Sequence, residues 1–134
     1  GGGFPGVPLS ILFPECYFTL VDSVKKKIDV VNAVSKDLDL KNITTHNCRV
    51  ENLNLKYDFV VSRAVAKIPK LLKWTKNFYK PYCKNLIQNG IIVLKGGDLN
   101  DELNSIRYKT IIELDDIFDY EYFHQKKIIY IPQI

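Results

Sequence analysis

Apolar positions along this chain change period several times. Over residues 23–39, Val24, Ile28, Val31, Val34 and Leu38 recur every three or four residues, which predicts a helix with one apolar face. Ser23 is placed to cap it. Residues 67–80 repeat the pattern through Ile68, Leu71, Trp74 and Phe78 and predict a second amphipathic helix. Residues 7–13 predict a short helix, started by the Gly-Pro turn and stopped before Pro14. Between these lie short β-rich runs at 17–22, 43–46, 57–62 and 90–95. Two further strands are predicted at 110–113 and 127–132. No convincing helix precedes the last one, so an antiparallel pairing there stays open. The alternation argues an α/β fold with a largely parallel sheet, formed by residues 1–134 as a single domain.

Composition adds few constraints. Hydrophobic content of 46% and charged content of 25% are those of an ordinary globular domain. No apolar run approaches the roughly 18 residues of a membrane span, no signal peptide is visible, and no membrane partner is expected. Cys16, Cys48 and Cys83 are far apart and form no C-x-x-C pair, which reads as reduced, partly buried thiols of a cytoplasmic protein. Charge changes the picture more. Residues 1–97 hold 15 Lys and Arg against 7 Asp and Glu, whereas residues 98–134 hold 4 against 8. A basic body suits a polyanionic partner; a lysine-rich coding bias would produce the same excess.

The candidate chemistry starts at the first residues, Gly1-Gly2-Gly3-Phe4-Pro5-Gly6. A glycine run between a strand and a helix removes side chains where a nucleotide-like cofactor must touch backbone. Asp22 ends the next predicted strand about 20 residues on, where an acid can accept both ribose hydroxyls. A helix-dipole role is the alternative. Cys48-Arg49-Val50-Glu51 follows the 43–46 run, where a loop can edge the cofactor's base; Glu51 equally reads as a solvated acid. Arg63 ends the 57–62 strand and could clamp a carboxylate or phosphate, or form a surface ion pair. Lys95 ends the 90–95 strand before two glycines, which suggests a mobile loop over a pocket; a snorkelling surface lysine is the other reading.

Lys67, Lys70, Lys73, Lys76, Lys80 and Lys84 fall on one face of the 67–80 helix and its continuation. They read as a solvated face or as a phosphate-contacting one. Lys25, Lys26 and Lys27 start a different helix near the carboxyl edge of the sheet and are better placed to meet a polyanion beside the pocket. Neither His46 nor His124 has a partner at metal-ligand spacing, so no metal is expected. No nucleophile elbow or phosphate-loop lysine motif is present.

With these residues in place, the chain resembles the bacterial small-subunit (16S) rRNA guanine-N7 methyltransferases, the glucose-inhibited division protein B family. The likeness rests on Gly-Gly-Gly-Phe-Pro-Gly-Val-Pro-Leu-Ser (1–10), Phe-Thr-Leu-Val-Asp-Ser-Val-Lys-Lys-Lys (18–27), Arg-Val-Glu (49–51), Asp-Phe-Val-Val-Ser-Arg-Ala (58–64) and Leu-Lys-Gly-Gly (94–97). It runs from Gly1 essentially to the end. It implies a class I methyltransferase fold, a Rossmann-like α/β sheet that binds S-adenosylmethionine. By that likeness Gly1, Gly3 and Phe4 line the methionine side of the cofactor and Asp22 holds the ribose. Val50 and Glu51 border the adenine, and Arg63 completes the cofactor site. Lys95 and Lys25, Lys26 and Lys27 face the RNA. Where the family carries an arginine before its last strand, this chain has Lys126-Lys127. Lys126 keeps the positive charge as a substrate contact but not the bidentate grip.

The family places helices and a first strand before its glycine run. The resemblance therefore implies a sheet lacking its first strand and N-terminal helices, and a chain that is a fragment of the family's length. The implied reaction is methyl transfer to N7 of a guanine in 16S ribosomal RNA, free or in the small ribosomal subunit, by a monomer. N7 carries a lone pair and no proton, so positioning and desolvation suffice and no single catalytic residue is expected. Three rivals stand beside this reading: a methyltransferase for another substrate, a nicotinamide-dependent oxidoreductase sharing the glycine loop and Asp22, and a non-catalytic RNA-binding module.

Overall fold

A computed structural model of the chain describes residues 2–133 and resolves two compact units, the boundary along the chain falling between Asn54 and Leu55. The first unit carries helix α1 (Gly6–Leu12), strand β1 (Phe18–Asp22), helix α2 (Lys25–Asp37) and strand β2 (Ile43–Asn47), followed by a 3-10 turn over Val50–Asn52. β1 and β2 are parallel and in register from Phe18 opposite Ile43 to Asp22 opposite Asn47. Their carboxyl ends therefore share one edge. Ile28 and Val31 of α2 are buried, whereas Val24, Val34 and Leu38 of the predicted apolar face are exposed. The cap differs from expectation. Val24, not Ser23, occupies the N-cap position and no side chain closes it there; instead the Asp22 carboxylate accepts the Val24 N–H. An acid two residues upstream takes that donor, so the serine hydroxyl is not needed for it.

The second unit is built on strands β3 (Phe59–Arg63), β4 (Gly90–Gly96), β5 (Thr110–Glu113) and β6 (Lys126–Pro132), in the order β3-β4-β6-β5. β3 and β4 are parallel, but β6 runs antiparallel to both β4 and β5, so this sheet is mixed. Helices α3 (Ile68–Thr75) and α4 (Asn100–Leu103) complete the unit. Its core joins Ile68 and Leu71 of α3 to Ile91 and Val93 of β4, Ile129 and Ile131 of β6, and Leu99, Leu103 and Ile106 around α4. Alternate residues of β4 and β6 point into this core, the period-two pattern of a strand covered on one face. Gly90 is fixed by the same pairing: a Cβ there would stand 2.3 Å from the Ile131 carbonyl oxygen.

α3 is shorter than the 67–80 run predicts. It ends at Thr75, and Tyr79 pairs as a parallel bridge with Tyr57, with the Tyr57 N–H donating to Phe78 O at 2.6 Å and the Lys80 N–H to Tyr57 O at 2.9 Å. Phe78 and Tyr79 are buried from extended backbone, so their spacing mimics a helical face without belonging to one. The single lysine face expected over this stretch is accordingly broken. Lys80 pairs with Asp58 at 2.7 Å and Lys84 lies over the Tyr82 ring, both beyond the helix. All three cysteines are free, and Cys16 and Cys83 are exposed rather than partly buried. No described helix is long and apolar enough to cross a membrane.

Candidate cofactor and substrate site

In the first unit the loop before α1 turns through two left-handed glycines, Gly2 (φ +44°) and Gly3 (φ +90°). Gly3 is buried, and a Cβ on it would come within 2.9 Å of the Val7 side chain and 3.3 Å of Val31. Both the backbone conformation and the packing therefore require glycine there. Gly2 has nothing within 4 Å of where a Cβ would stand, so its backbone is open to approach. Phe4, next in the loop, is exposed. Gly1 lies outside the described residues.

Asp22 is the last residue of β1. Oδ1 accepts the Val24 N–H at 2.8 Å, Oδ2 lies 3.8 Å from the Lys27 ammonium, and its carbonyl oxygen accepts from the Asn47 side chain at 3.0 Å. The side chain is only 14% exposed. Burial works against its charge, whereas the Val24 N–H that it accepts and, more weakly, the Lys27 ammonium favour the ionised form. Asp22 is thus an ionised acceptor at the carboxyl end of a strand. Asn47, its partner on β2, leads within three residues to Val50, which is half-buried, and Glu51, which is exposed. The parallel register brings Asp22 and the Val50–Asn52 turn to the same edge. Lys25, Lys26 and Lys27 form the first turn of α2 at that edge and are all exposed; Lys25 is paired with Asp29 at 3.0 Å.

In the second unit Arg63 and Lys95 lie at the carboxyl ends of the neighbouring parallel strands β3 and β4, with Arg63 opposite Leu94 in register. Arg63 is exposed, and Ala64 behind it turns the chain with φ +53°. Lys95 is drawn in from solvent. Its ammonium lies 3.1 and 3.3 Å from the two carboxylate oxygens of Glu102 in α4. Glu102 Oε2 also accepts the Ile68 N–H at 2.7 Å, at the start of α3. Lys126, opposite Gly96 at the start of β6, sits over the Tyr122 ring. Among the described residues no group of three His, Cys, Asp or Glu side chains is arranged to hold a metal ion.

Glu102 and Asn47 are absent from the sequence-based set. A lysine at the end of a buried strand needs a counter-charge, which is the one signal pointing to a nearby acid; for Asn47 the sequence carries no signal.

Open α/β sheets take ligands at the carboxyl ends of their strands, and Asp22, Arg63 and Lys95 all occupy such ends. The sequence profile of the family described as GidB, rRNA small subunit methyltransferase G, matches residues 1–128. The chain belongs to that family. Among its curated relatives, the ribosomal RNA small subunit methyltransferase G of Christiangramia forsetii is 52% identical over 132 residues, and that of Flavobacterium johnsoniae 46% identical. Each alignment covers 98% of this chain and 63% of the relative, so the chain spans less than two thirds of their length. Among solved structures, TehB from Haemophilus influenzae superposes with a TM-score of 0.61 at 15% identity, covering 98% of this chain and 55% of that one. A putative methyltransferase from Thermoplasma acidophilum superposes with a TM-score of 0.60 at 12% identity, covering 98% and 64%. These likenesses show the fold, α/β and Rossmann-like, carried here by a parallel strand pair in the first unit and a mixed sheet in the second. Membership in the methyltransferase G family agrees with the resemblance drawn from the sequence motifs.

Proposed function

We propose that the chain carries the cofactor- and RNA-handling part of an enzyme that transfers a methyl group from S-adenosylmethionine to N7 of a guanine in 16S ribosomal RNA. The observation that carries the reading is Asp22, an ionised acceptor at the carboxyl end of β1 in a chain matched by the methyltransferase G family over residues 1–128.

The residues present fit this cofactor. Asp22 offers carboxylate oxygen to ribose hydroxyls, and the Gly2 backbone is open where a side chain would intrude. S-adenosylmethionine, when bound, supplies an electrophilic methyl group on a sulfonium. In this reading Asp22 orients the ribose, the Gly1–Phe4 loop receives the methionine end and the Val50–Glu51 turn borders the adenine. From the second unit Arg63 offers a planar cation to the cofactor, and Lys95 and Lys126 offer ammonium groups to RNA phosphate. Lys25, Lys26 and Lys27 add positive charge at the edge that holds Asp22. Guanine N7 is a lone-pair nucleophile without a proton, so the chain's task is to hold, align and desolvate rather than to remove a proton. The guanine must be unstacked for N7 to be reached. The reading includes a cytoplasmic monomer whose substrate is the small subunit or its RNA.

The test incubates the protein expressed from its complete reading frame, beside the 134-residue chain, with labelled S-adenosylmethionine and unmodified small-subunit rRNA. Nuclease digestion is followed by detection of N7-methylguanosine. Labelled N7-methylguanosine from the complete protein is expected. Its absence on both free rRNA and assembled subunits overturns the reading.

A further inference from the structure

One carboxylate in the second unit joins three elements. Glu102 belongs to α4; its oxygens take the Lys95 ammonium from β4 at 3.1 and 3.3 Å, and Oε2 also takes the first N–H of α3, from Ile68, at 2.7 Å. Both charged side chains are largely withdrawn from water, Lys95 15% exposed and Glu102 16%. A lysine so placed would be costly without a counter-charge. With Glu102 beside it the pair is close to neutral at a distance, so Lys95 contributes little to long-range attraction of RNA. What the pair supplies is position. An ammonium has three donors; Glu102 occupies the side facing α4 and fixes the group at the carboxyl end of β4. Lys67, at the N-cap of α3, offers no acceptor side chain, so the Glu102 oxygen also registers α3 against the strand end.

We propose that Glu102 is a positioning residue for the methyl-transfer reaction, acting through Lys95 by holding its ammonium at the carboxyl end of β4 to donate to a phosphate of the RNA substrate. The inference rests on the functional reading above.

The test is a double-mutant cycle in the protein expressed from its complete reading frame, with E102Q, K95M and the double variant. The glutamine keeps an oxygen for the Ile68 N–H and removes the charge that holds Lys95. The expected result is a fall in kcat on the order of tenfold to a hundredfold for E102Q, with KM for S-adenosylmethionine unchanged. K95M falls comparably, and the double variant falls no further than K95M. A residue that only braced α3 would lower activity by the same factor in both backgrounds, and that result overturns the proposal. So does an E102Q enzyme with parental kcat. Circular dichroism and a thermal midpoint establish that each variant folds. If E102Q does not, E102D, which keeps the charge but draws it back by one methylene, enters the same cycle with the same expectations. A parent protein that makes no N7-methylguanosine overturns the functional reading and this proposal together, whereas an active parent with multiplicative losses overturns the proposal alone.

Discussion

Oδ1 of Asp22 accepts the Val24 N–H while Oδ2 faces Lys27, so one side chain both starts α2 and holds a negative charge at the end of β1. The structural role and the proposed cofactor role separate chemically. Asparagine can still accept the Val24 N–H through its carbonyl oxygen, but it cannot present a charge to ribose hydroxyls. D22N keeps this bond but loses the charge that strengthens it, so its thermal midpoint is expected to fall modestly, by about 2–4 °C. Its dissociation constant for S-adenosylmethionine should rise roughly 10- to 100-fold, the effect of replacing a charged hydrogen bond of about 1.5–3 kcal/mol by a neutral one. Isothermal titration calorimetry reads the second quantity and a thermal melt the first. An unchanged affinity in a folded variant would remove Asp22 from the site. Asp22 was legible in the sequence because strand, acid and helix follow one another without a gap. Glu102 was not, because its partners lie 7 and 34 residues away in the chain.

At the scale of elements, Glu102 couples α4 to β4 and α3, and its titration should show in stability. Burial alone would raise its pKa, but the Ile68 N–H, Lys95 and Lys67 outweigh that and hold it below the ordinary 4.5. A carboxyl lowered on folding contributes stability above its unfolded pKa and loses it as pH falls through the folded value. The parent should therefore be more stable than E102Q at pH 7, and the difference should shrink as pH falls below about 4.5. Urea unfolding at pH 7, 5, 4 and 3 measures it; a gap that stays constant over that range would mean that Glu102 is not a stabilised anion. The elements themselves were readable where one rule governs them. α2 follows its apolar spacing, and β3, β4 and β6 follow their β-branched runs. α3 reads too long because Phe78 and Tyr79 keep helical spacing while a bridge to Tyr57, more than 20 residues earlier, takes them into extended backbone. α4 escapes detection because four residues are too few to show a period.

At the scale of the whole molecule, the boundary between the units redistributes the charge. Residues 1–54 hold 6 Lys and Arg against 6 Asp and Glu, whereas residues 55–134 hold 13 against 9, with the excess confined to residues 55–97, which hold 9 against 1. The formal positive excess therefore lies in the second unit. Lys25 is already paired with Asp29, and Lys27 lies near Asp22. By contrast Lys70, Lys73 and Lys76 are exposed around α3, with Lys70 over the Trp74 ring. Each phosphate contact with single-stranded RNA adds about 0.7 to the slope of log affinity against log salt. K70Q/K73Q/K76Q is expected to flatten that slope by about 2, and K25Q/K26Q/K27Q by roughly 1 or less. Filter binding of a small-subunit rRNA fragment between about 50 and 200 mM salt separates the two. If the α2 triplet flattens the slope more, RNA engages the edge that carries Asp22 directly, and the excess on residues 55–97 is a solvated surface. If the α3 set dominates, the exposed lysines of α3 carry most of the phosphate contact. The α3 variant should then lose RNA affinity while keeping the parental affinity for S-adenosylmethionine, because none of its three substitutions touches a residue assigned to the cofactor.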